Sequence, residues 1–334
     1  PHQSSAASDV YKRQVVILCA FFTALTGGSG VTILALGAIL YPILVHDGYS
    51  KRFSLGIITT AGSLGLLFPP SLPAIIYSVT AGINPLELFK QALIPAIFLL
   101  SIMFFYGLYM LPQNKKIEKF NAKNALNSAK IAQGELVIPL LIILSLFSGF
   151  ATLVESAALL VLYVLTIELY IFKDIAFKDL SKIIIDCSTL VGGVLIILGF
   201  AMGFTGYLVD AQIPLKILNF VQSTISSKII FLLALNILLL VIGCLMDVFS
   251  AIIVVVPLIA PLATYFGIDP FHLAIIFIAN LELGYITPPV GMNLYLSSYR
   301  FEKDMPTIYA ATLPFFFIRL IGVILITYIP LFFY

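Results

Sequence analysis

Apolar stretches long enough to cross a lipid bilayer recur along the chain, for example at 93–111, 183–209, 228–246 and 312–333. Such a stretch must satisfy its backbone hydrogen bonds internally, and a helix does this within a single segment. Hydrophobic residues make up 61% of the 334 residues and charged residues only 10%, which is far from the balance of a water-soluble domain. The sequence therefore predicts an all-α polytopic membrane protein.

The chain also repeats itself at an offset of 219 residues. Residues 65–70 read GLLFPP and residues 284–289 read GYITPP, at equivalent positions of the two copies. Proline lacks a backbone N–H and blocks a helical hydrogen bond, so each Pro-Pro pair predicts an interruption in its helix. Two interrupted membrane helices at corresponding places are typical of transporters that bind their substrate between two repeats.

Each repeat is predicted to contain a hairpin, a broken helix, a short amphipathic arm and a spanning helix. The hairpins are predicted at 15–45 and 228–265, the broken helices at 51–81 and 270–298, the arms at 84–92 and 302–310, and the last spanning helices at 93–111 and 312–333. The resulting segments are 1–14, 15–111 (first repeat), 112–134 (basic loop), 135–227 (connecting scaffold helices) and 228–334 (second repeat). We interpret 1–14 as non-native or disordered and expect the natural chain to extend upstream of Val15.

Positively charged side chains are unevenly distributed over the predicted loops. If both hairpins are re-entrant, twelve Lys and Arg side chains lie on one side of the membrane and three on the other. Because cations favour the cytoplasmic side, the first hairpin then enters from the cytoplasm and the second from outside. The repeats are therefore predicted to be inverted. The cation-rich loops are 46–52, 112–134, 173–182 and 299–304, and the opposite cations are Lys90, Lys216 and Lys228.

The two breaks and the two hairpin tips are the candidate binding elements. Interrupted helices expose backbone carbonyls and oriented dipoles, which can hold Na⁺ without a fixed charge. Residues 27–30 (GGSG) can turn tightly and aim backbone groups at an ion. Asp247 occupies the equivalent place in the second repeat, either as a helix cap or as an ion ligand. Glu282 immediately precedes the second break, and Arg319 is expected to snorkel or to pair locally.

Several stretches in their order resemble the large membrane subunit of tripartite ATP-independent periplasmic (TRAP) transporters. The resemblance implies an elevator-type, Na⁺-driven importer of organic acids in the bacterial inner membrane, such as C4-dicarboxylates or sialic acids. It implies two partners, a periplasmic binding protein and a small membrane subunit, with Na⁺ as the coupling ion and no other cofactor. The stretches are 48–53 (GYSKRF), 62–73 (GSLGLLFPPSLP), 150–158 (FATLVESAA), 246–247 (MD), 267–270 (GIDP) and 280–294 (NLELGYITPPVGMNL).

The resemblance and the repeat together give two sets of predicted site residues. The substrate set is Gly28, Ser29, Gly30, Pro69, Pro70, Thr287, Pro288, Pro289 and Asn293. The Na⁺ set is Ser29, Ser63, Gly65, Asp247, Asn280, Gly284 and Thr287.

Three other functions compete with this prediction. One is another Na⁺- or H⁺-coupled elevator-type anion transporter, and another is a passive scaffold or channel subunit. The third is an intramembrane serine protease of the rhomboid type, since residues 27–30 resemble the serine motif of that class. Such an enzyme needs a histidine base beside Ser29, and the predicted topology separates Ser29 from His272. The chain has no phosphate-binding loop of the ATPase type.

Overall fold

A computed structural model describes residues 18–24, 26–46, 48–110, 151–173 and 175–332, together with 134, 137, 138, 140, 141, 144, 145 and 148. All regular elements in these ranges are helical, which confirms the all-α prediction. Six of the described helices are long and apolar enough to cross a membrane, or up to seven if one bent pair counts as a single span.

The chain divides into two compact units. One unit comprises Pro1–Lys116 and Ala201–Tyr334, and the other comprises Ile117–Phe200. Both copies of the sequence repeat, including both Pro-Pro breaks, lie in the first unit. The candidate binding elements therefore belong to one compact body.

The two repeats contain corresponding helices in the same order, and their 3₁₀ turns lie at different places. Each break also contains a cis peptide bond between its two prolines. The helix is interrupted at both Pro-Pro pairs, as predicted. In the first repeat the elements are a helical stretch at 18–24, then Ser29–His46, Lys51–Ala61, a 3₁₀ turn at Leu64–Leu67, Leu72–Ala81 and Pro85–Tyr109. In the second they are Lys228–Leu245, Val248–Tyr265, Pro270–Gly284, Met292–Phe301, Met305–Tyr328 and a 3₁₀ turn at Ile329–Phe332.

The predicted division between arm and spanning helix is wrong in both repeats. Pro85–Tyr109 and Met305–Tyr328 are each one continuous helix, with Pro95 and Pro314 inside them. An internal proline removes one hydrogen bond and can be accommodated if the freed carbonyl finds another donor. Pro314 leaves the carbonyl of Ala310 without its helical partner. The guanidinium of Arg52 supplies two donors to that oxygen, from Nε at 2.9 Å and Nη2 at 2.7 Å.

The described part of the connecting region is helical. Leu153–Thr166 starts with a capping box between Thr152 and Glu155 and continues as a π-helical turn at Ile167–Ile171. Phe177–Asp210 starts six residues before the predicted 183, and the helix Ile213–Thr224 follows it. Segment 1–14, nearly all of 112–134 and part of 135–150 lie outside the described residues.

The two repeats are packed into one another. The second arm of each hairpin lies along the second half of the broken helix that belongs to the other repeat. Thus Ser29–His46 packs on Met292–Phe301, and Val248–Tyr265 packs on Leu72–Ala81. The core of this body is Pro270–Gly284, whose residues from Leu273 to Gly284 are all buried. A helix that is apolar all round has no outward face, so its position in the centre follows from its composition.

Candidate functional site

Glycine allows each break to approach the first arm of its own hairpin. A β-carbon on Gly65 would lie 2.1 Å from the carbonyl oxygen of Ala20 and 2.5 Å from the amide nitrogen of Ala24. At the equivalent Gly284, a β-carbon would lie 2.6 Å from the α-carbon of Gly243. Close backbone packing therefore accounts for both glycines, and cation binding by their carbonyls stays a prediction.

The first hairpin tip meets the second halves of both broken helices. Gly27 has a left-handed φ of 68°, and a β-carbon there would lie 3.1 Å from Cβ of Leu72. The buried hydroxyl of Ser29 donates to Oδ1 of Asn293 at 2.8 Å. A β-carbon on Gly30 would lie 2.6 Å from a side-chain carbon of the Met292–Phe301 helix. Predicted substrate residues from both repeats are thus brought together at the tip.

Asn293 extends this contact to the first half of the first broken helix. Its Nδ2 donates to the carbonyl oxygen of Thr59 at 3.2 Å. The hydroxyl of Thr59 in turn donates to Oγ of Ser297 at 2.8 Å. All these side chains are buried. One amide therefore connects a hairpin tip to both broken helices, because it offers a donor and an acceptor at the same time.

A second buried polar group consists of Thr23 and Thr32, on either side of the first hairpin tip in sequence, and the carbonyl of Gly62. Oγ1 of Thr23 lies 2.5 Å from Oγ1 of Thr32 and donates to the carbonyl oxygen of Gly62 at 2.7 Å. No sequence pattern marks Thr23 or Thr32, because single threonines in apolar helices commonly bond to their own backbone. Gly28, within the tip, is half-buried.

The second hairpin tip is built around Asp247. Its Oδ1 accepts the backbone amides of Phe249 and Ser250 at 2.9 and 3.0 Å, and its Oδ2 accepts the hydroxyl of Ser250 at 2.5 Å. This is a helix N-cap for Val248–Tyr265, so the predicted capping role is confirmed. The role of Asp247 as an ion ligand stays a prediction.

The second break holds its remaining predicted residues at or near the surface. Thr287 is half-buried, and its hydroxyl donates to the carbonyl oxygen of Leu283 at 2.9 Å. Pro288 and Pro289 are exposed, and the carbonyl oxygen of Pro289 accepts the hydroxyl of Tyr309 at 2.5 Å. Pro69 and Pro70 in the first break are half-buried. The two Pro-Pro turns are therefore open to a ligand to different degrees.

Asn280 belongs to a different polar group from the other candidates. Its Nδ2 donates to Oδ1 of Asn236 and to the carbonyl oxygen of Ile276, both at 2.8 Å. Thr327 in the last helix donates to the same Asn236 oxygen at 3.1 Å. The described contacts of Asn280 thus tie three helices together, and its role as an ion ligand stays a prediction.

Arg319 was predicted to snorkel or to pair locally, and the structure contradicts snorkelling but shows an ion pair. It neither snorkels nor reaches the surface, since its side chain and that of Glu282 are fully buried. Its Nη2 donates to Oε2 of Glu282 at 2.6 Å, and its Nη1 donates to Oγ of Ser63 at 2.7 Å. A buried ion pair needs such additional hydrogen bonds, because desolvation of both charges is costly. Ser63, a predicted Na⁺ residue, is thus held by Arg319.

Polar side chains already occupy several of the backbone carbonyls at the breaks. The carbonyl oxygens of Thr59 and Thr60 accept Asn293 and Arg319, and that of Leu66 accepts the hydroxyl of Ser71. This agrees with the rule that irregular backbone in a membrane protein must be satisfied within the protein. The carbonyl oxygen of Thr60 also accepts the hydroxyl and the backbone amide of Ser63, so its two lone pairs are already in use.

Charged ligands contribute little to this region. Within the described ranges, no three His, Cys, Asp or Glu side chains form a group that could hold a metal ion. A cation bound here would therefore be held mainly by carbonyls and hydroxyls. The serine-protease pairing is not formed either, since Ser29 donates to Asn293 and the ring of His272 bonds to the carbonyl of Ile326 at 3.0 Å.

Two repeats of broken helices that meet at buried polar groups define a membrane transport protein. A model of the family described as "Tripartite ATP-independent periplasmic transporter, DctM component" matches residues 12–332. The chain therefore belongs to this family. It is a multi-pass membrane component of a tripartite transporter and not an enzyme.

Relatives of known name agree with this membership. The chain is 33% identical over 318 residues to the C4-dicarboxylate TRAP transporter large permease protein DctM of Pseudomonas aeruginosa, covering 94% of this chain and 74% of that protein. It is 31% identical over 338 residues to the protein of the same name in Vibrio cholerae, with the same coverage. It is 29% identical over 315 residues to the isethionate TRAP transporter permease protein DctMQ of Oleidesulfovibrio alaskensis, covering 93% of this chain and 50% of that protein.

Proposed function

We propose that this chain is the permease of a bacterial inner-membrane importer that couples uptake of a small organic anion to inward movement of Na⁺. The observation that carries the proposal is the hydrogen bond between Ser29 and Asn293. It joins two residues of the predicted substrate set that are 264 positions apart and belong to different repeats. The substrate class is a C4-dicarboxylate, a sialic acid or a similar carboxylate. The isethionate relative extends the range to a sulfonate, another small anion.

Helix N-termini supply the attraction for an anion. The helices Ser29–His46, Leu72–Ala81 and Met292–Phe301 all begin at or beside the first hairpin tip, through the contacts of Gly27 and Ser29. The N-terminus of a helix carries partial positive charge and backbone N–H groups without helical partners. Three such ends at one place favour a carboxylate or sulfonate without an arginine fork.

Neutral oxygen atoms supply the attraction for Na⁺. The breaks and tips present hydroxyls, amide oxygens and carbonyls, and the carboxylate of Asp247 lies at the second tip. Oxygen ligands of this kind suit a hard monovalent cation, and broken helices commonly provide them in Na⁺-coupled transporters. Binding of Na⁺ beside an anion site would offset the charge of the substrate, which provides a physical basis for coupled transport.

The two repeats are proposed to be inverted, with re-entrant hairpins that enter from opposite sides. The asymmetric distribution of cations in the loops supports this orientation. Because the binding elements belong to one compact unit, they can move together as the mobile part of an elevator.

Two partners complete the proposed importer. The family is tripartite by description, and the isethionate relative bears the combined name DctMQ. We therefore propose a periplasmic binding protein that delivers the substrate and a small membrane subunit that associates with this chain.

The test is uptake by proteoliposomes that contain the full chain with its small membrane subunit. Labelled succinate, N-acetylneuraminate and isethionate would be offered with and without the cognate binding protein. We expect uptake of one of them to require an inward Na⁺ gradient. Uptake that persists after the Na⁺ gradient is collapsed would support a passive channel, and uptake driven only by a pH gradient would support H⁺ coupling.

A further inference from the structure

The buried ion pair joins the two repeats at equivalent positions. Ser63 and Glu282 are 219 residues apart, which is the offset of the sequence repeat. Arg319 donates to Ser63 through Nη1 and to Glu282 through Nη2. The position equivalent to Arg319 in the first repeat is Leu100, so one guanidinium serves both halves.

The contacts of Arg319 extend to the backbone at each break. Its Nη1 also lies 3.3 Å from the carbonyl oxygen of Thr60, in the last turn before the first break. Oγ of Ser63 lies 3.4 Å from the carbonyl oxygen of Glu282, two residues before Gly284. The first half of each broken helix therefore ends at a hydrogen-bond contact with this guanidinium. The contact is direct at Thr60, and it runs through the hydroxyl of Ser63 at Glu282.

The contacts and burial of Arg319 favour a positioning role over direct binding of a substrate. Both Nη atoms already have partners, and the side chain has no exposed surface. Among the described residues, Nε of Arg319 and Oε1 of Glu282 are buried without a hydrogen-bond partner, so the pair is kept although these two atoms are not satisfied. A buried charge pair of this kind contributes little net stability, which favours a role in geometry.

We propose that Arg319 is a positioning residue that holds the two breaks at the separation required for Na⁺ binding. The inference rests on the proposed Na⁺ coupling and deepens it. The planar guanidinium fixes two donors at a constant spacing, which lysine does not reproduce. Loss of Arg319 would free Ser63 and leave Glu282 as an unpaired buried charge. The carbonyls at the two breaks would then no longer be held at a fixed separation.

The experiment measures Na⁺-dependent stabilisation of the purified full chain. Melting temperatures would be recorded in NaCl and in choline chloride at equal ionic strength, and titration would give the apparent Na⁺ affinity. Wild-type protein should be stabilised specifically by Na⁺. Arg319→Met should weaken Na⁺ binding ~10–100-fold, the usual effect of removing a residue that orients metal ligands. The Na⁺ affinity of Arg319→Lys should lie between those of wild type and Arg319→Met.

A double variant separates positioning from simple loss of stability. Arg319→Met combined with Glu282→Gln has no unpaired buried charge, so its melting temperature in choline should recover toward that of wild type. Its Na⁺-specific stabilisation should still be missing. Arg52→Gln is the matched control, because this exposed arginine also ties the first broken helix to the last helix, at Ala310. It should keep the Na⁺ response of wild type.

The outcomes distinguish this inference from the proposed function. Wild-type Na⁺ affinity in Arg319→Met or in the double variant would overturn the positioning role while leaving Na⁺ coupling intact. Wild-type Na⁺ affinity in Arg319→Lys would show that the two fixed donors of a guanidinium are not needed. That result would also overturn the positioning role. If the wild-type protein shows neither Na⁺-specific stabilisation nor Na⁺-dependent uptake, the proposed function fails and this inference fails with it.

Discussion

Replacement of Gly284 by alanine tests whether close backbone packing at the second break shapes the site. The added β-carbon would lie 2.6 Å from both the α-carbon and the carbonyl carbon of Gly243, and 2.9 Å from the amide nitrogen of Cys244. Real β-carbons essentially never approach within 3.0 Å and ordinary contact begins at 3.4 Å, so the hairpin arm and the broken helix must separate by about 0.4–0.8 Å. All three atoms are backbone, so no side-chain rotation relieves the contact.

The energetic cost follows from this geometry. Overpacking of a well-packed core costs about 1–3 kcal/mol. Gly284 is the last residue of its helix, so the helix propensity of alanine offsets little of that cost. We expect Gly284→Ala to lose about 1–3 kcal/mol of stability. It should also weaken Na⁺-dependent uptake, because Thr287 and the Pro-Pro turn move away from the second tip.

The assay compares thermal unfolding of detergent-purified variants with their Na⁺-dependent uptake. Gly199→Ala is the matched control, since no atom of the described residues lies within 4 Å of a β-carbon at that position. The control should be as stable as wild type or slightly more stable, because alanine favours a helix interior. Equal stability of Gly284→Ala and Gly199→Ala would refute the reasoning.

Further predictions concern the caps and the hairpin contact. Asp247→Ala should destabilise the protein by about 1 kcal/mol through loss of the N-cap, whereas Asp247→Asn keeps a capping oxygen. If Asp247→Asn keeps the melting temperature of wild type but loses Na⁺-dependent uptake, Asp247 is an ion ligand. Asn293→Ala should reduce the affinity for substrate and for Na⁺ in uptake assays, because the Ser29 hydroxyl loses its acceptor; unchanged uptake kinetics would contradict this. Hydrogen bonds from the hydroxyl and amide of Thr307 hold the pKa of Asp304 below its ordinary value of 3.8. The stability that this cap contributes should therefore be present above pH 3.8 and disappear as the pH falls through the lowered pKa. The measurement is the difference in unfolding stability between wild type and Asp304→Asn, from neutral to acid pH.

Local signals predicted the features that depend on neighbouring residues. The positions of both breaks follow from Pro-Pro pairs, and the cap at Asp247 follows from its side chain. Local patterns do not predict the continuous helix Met305–Tyr328, because a proline inside a helix, here Pro314, removes a hydrogen bond. Arg52 accommodates that proline from a helix 258 residues away, which no local pattern contains.

Arg319 shows the limit of sequence reasoning most clearly. In isolation, an arginine in an apolar helix is expected to extend toward the interface. Its partners Glu282 and Ser63 are 37 and 256 positions away. Burial became tolerable only because the packing of three helices brought an acceptor to each side of the guanidinium.

By itself, the sequence determined that the chain is helical, that it belongs in a membrane and that two helices are interrupted at repeated positions. These properties depend on hydrophobicity, on the absent N–H of proline and on periodicity, all of which act within a few residues. The tertiary structure alone decided that the hairpin of each repeat packs on the broken helix of the other. It also decided which polar groups meet, because hydrogen-bond partners in this core are chosen by distance in space after the helices have packed.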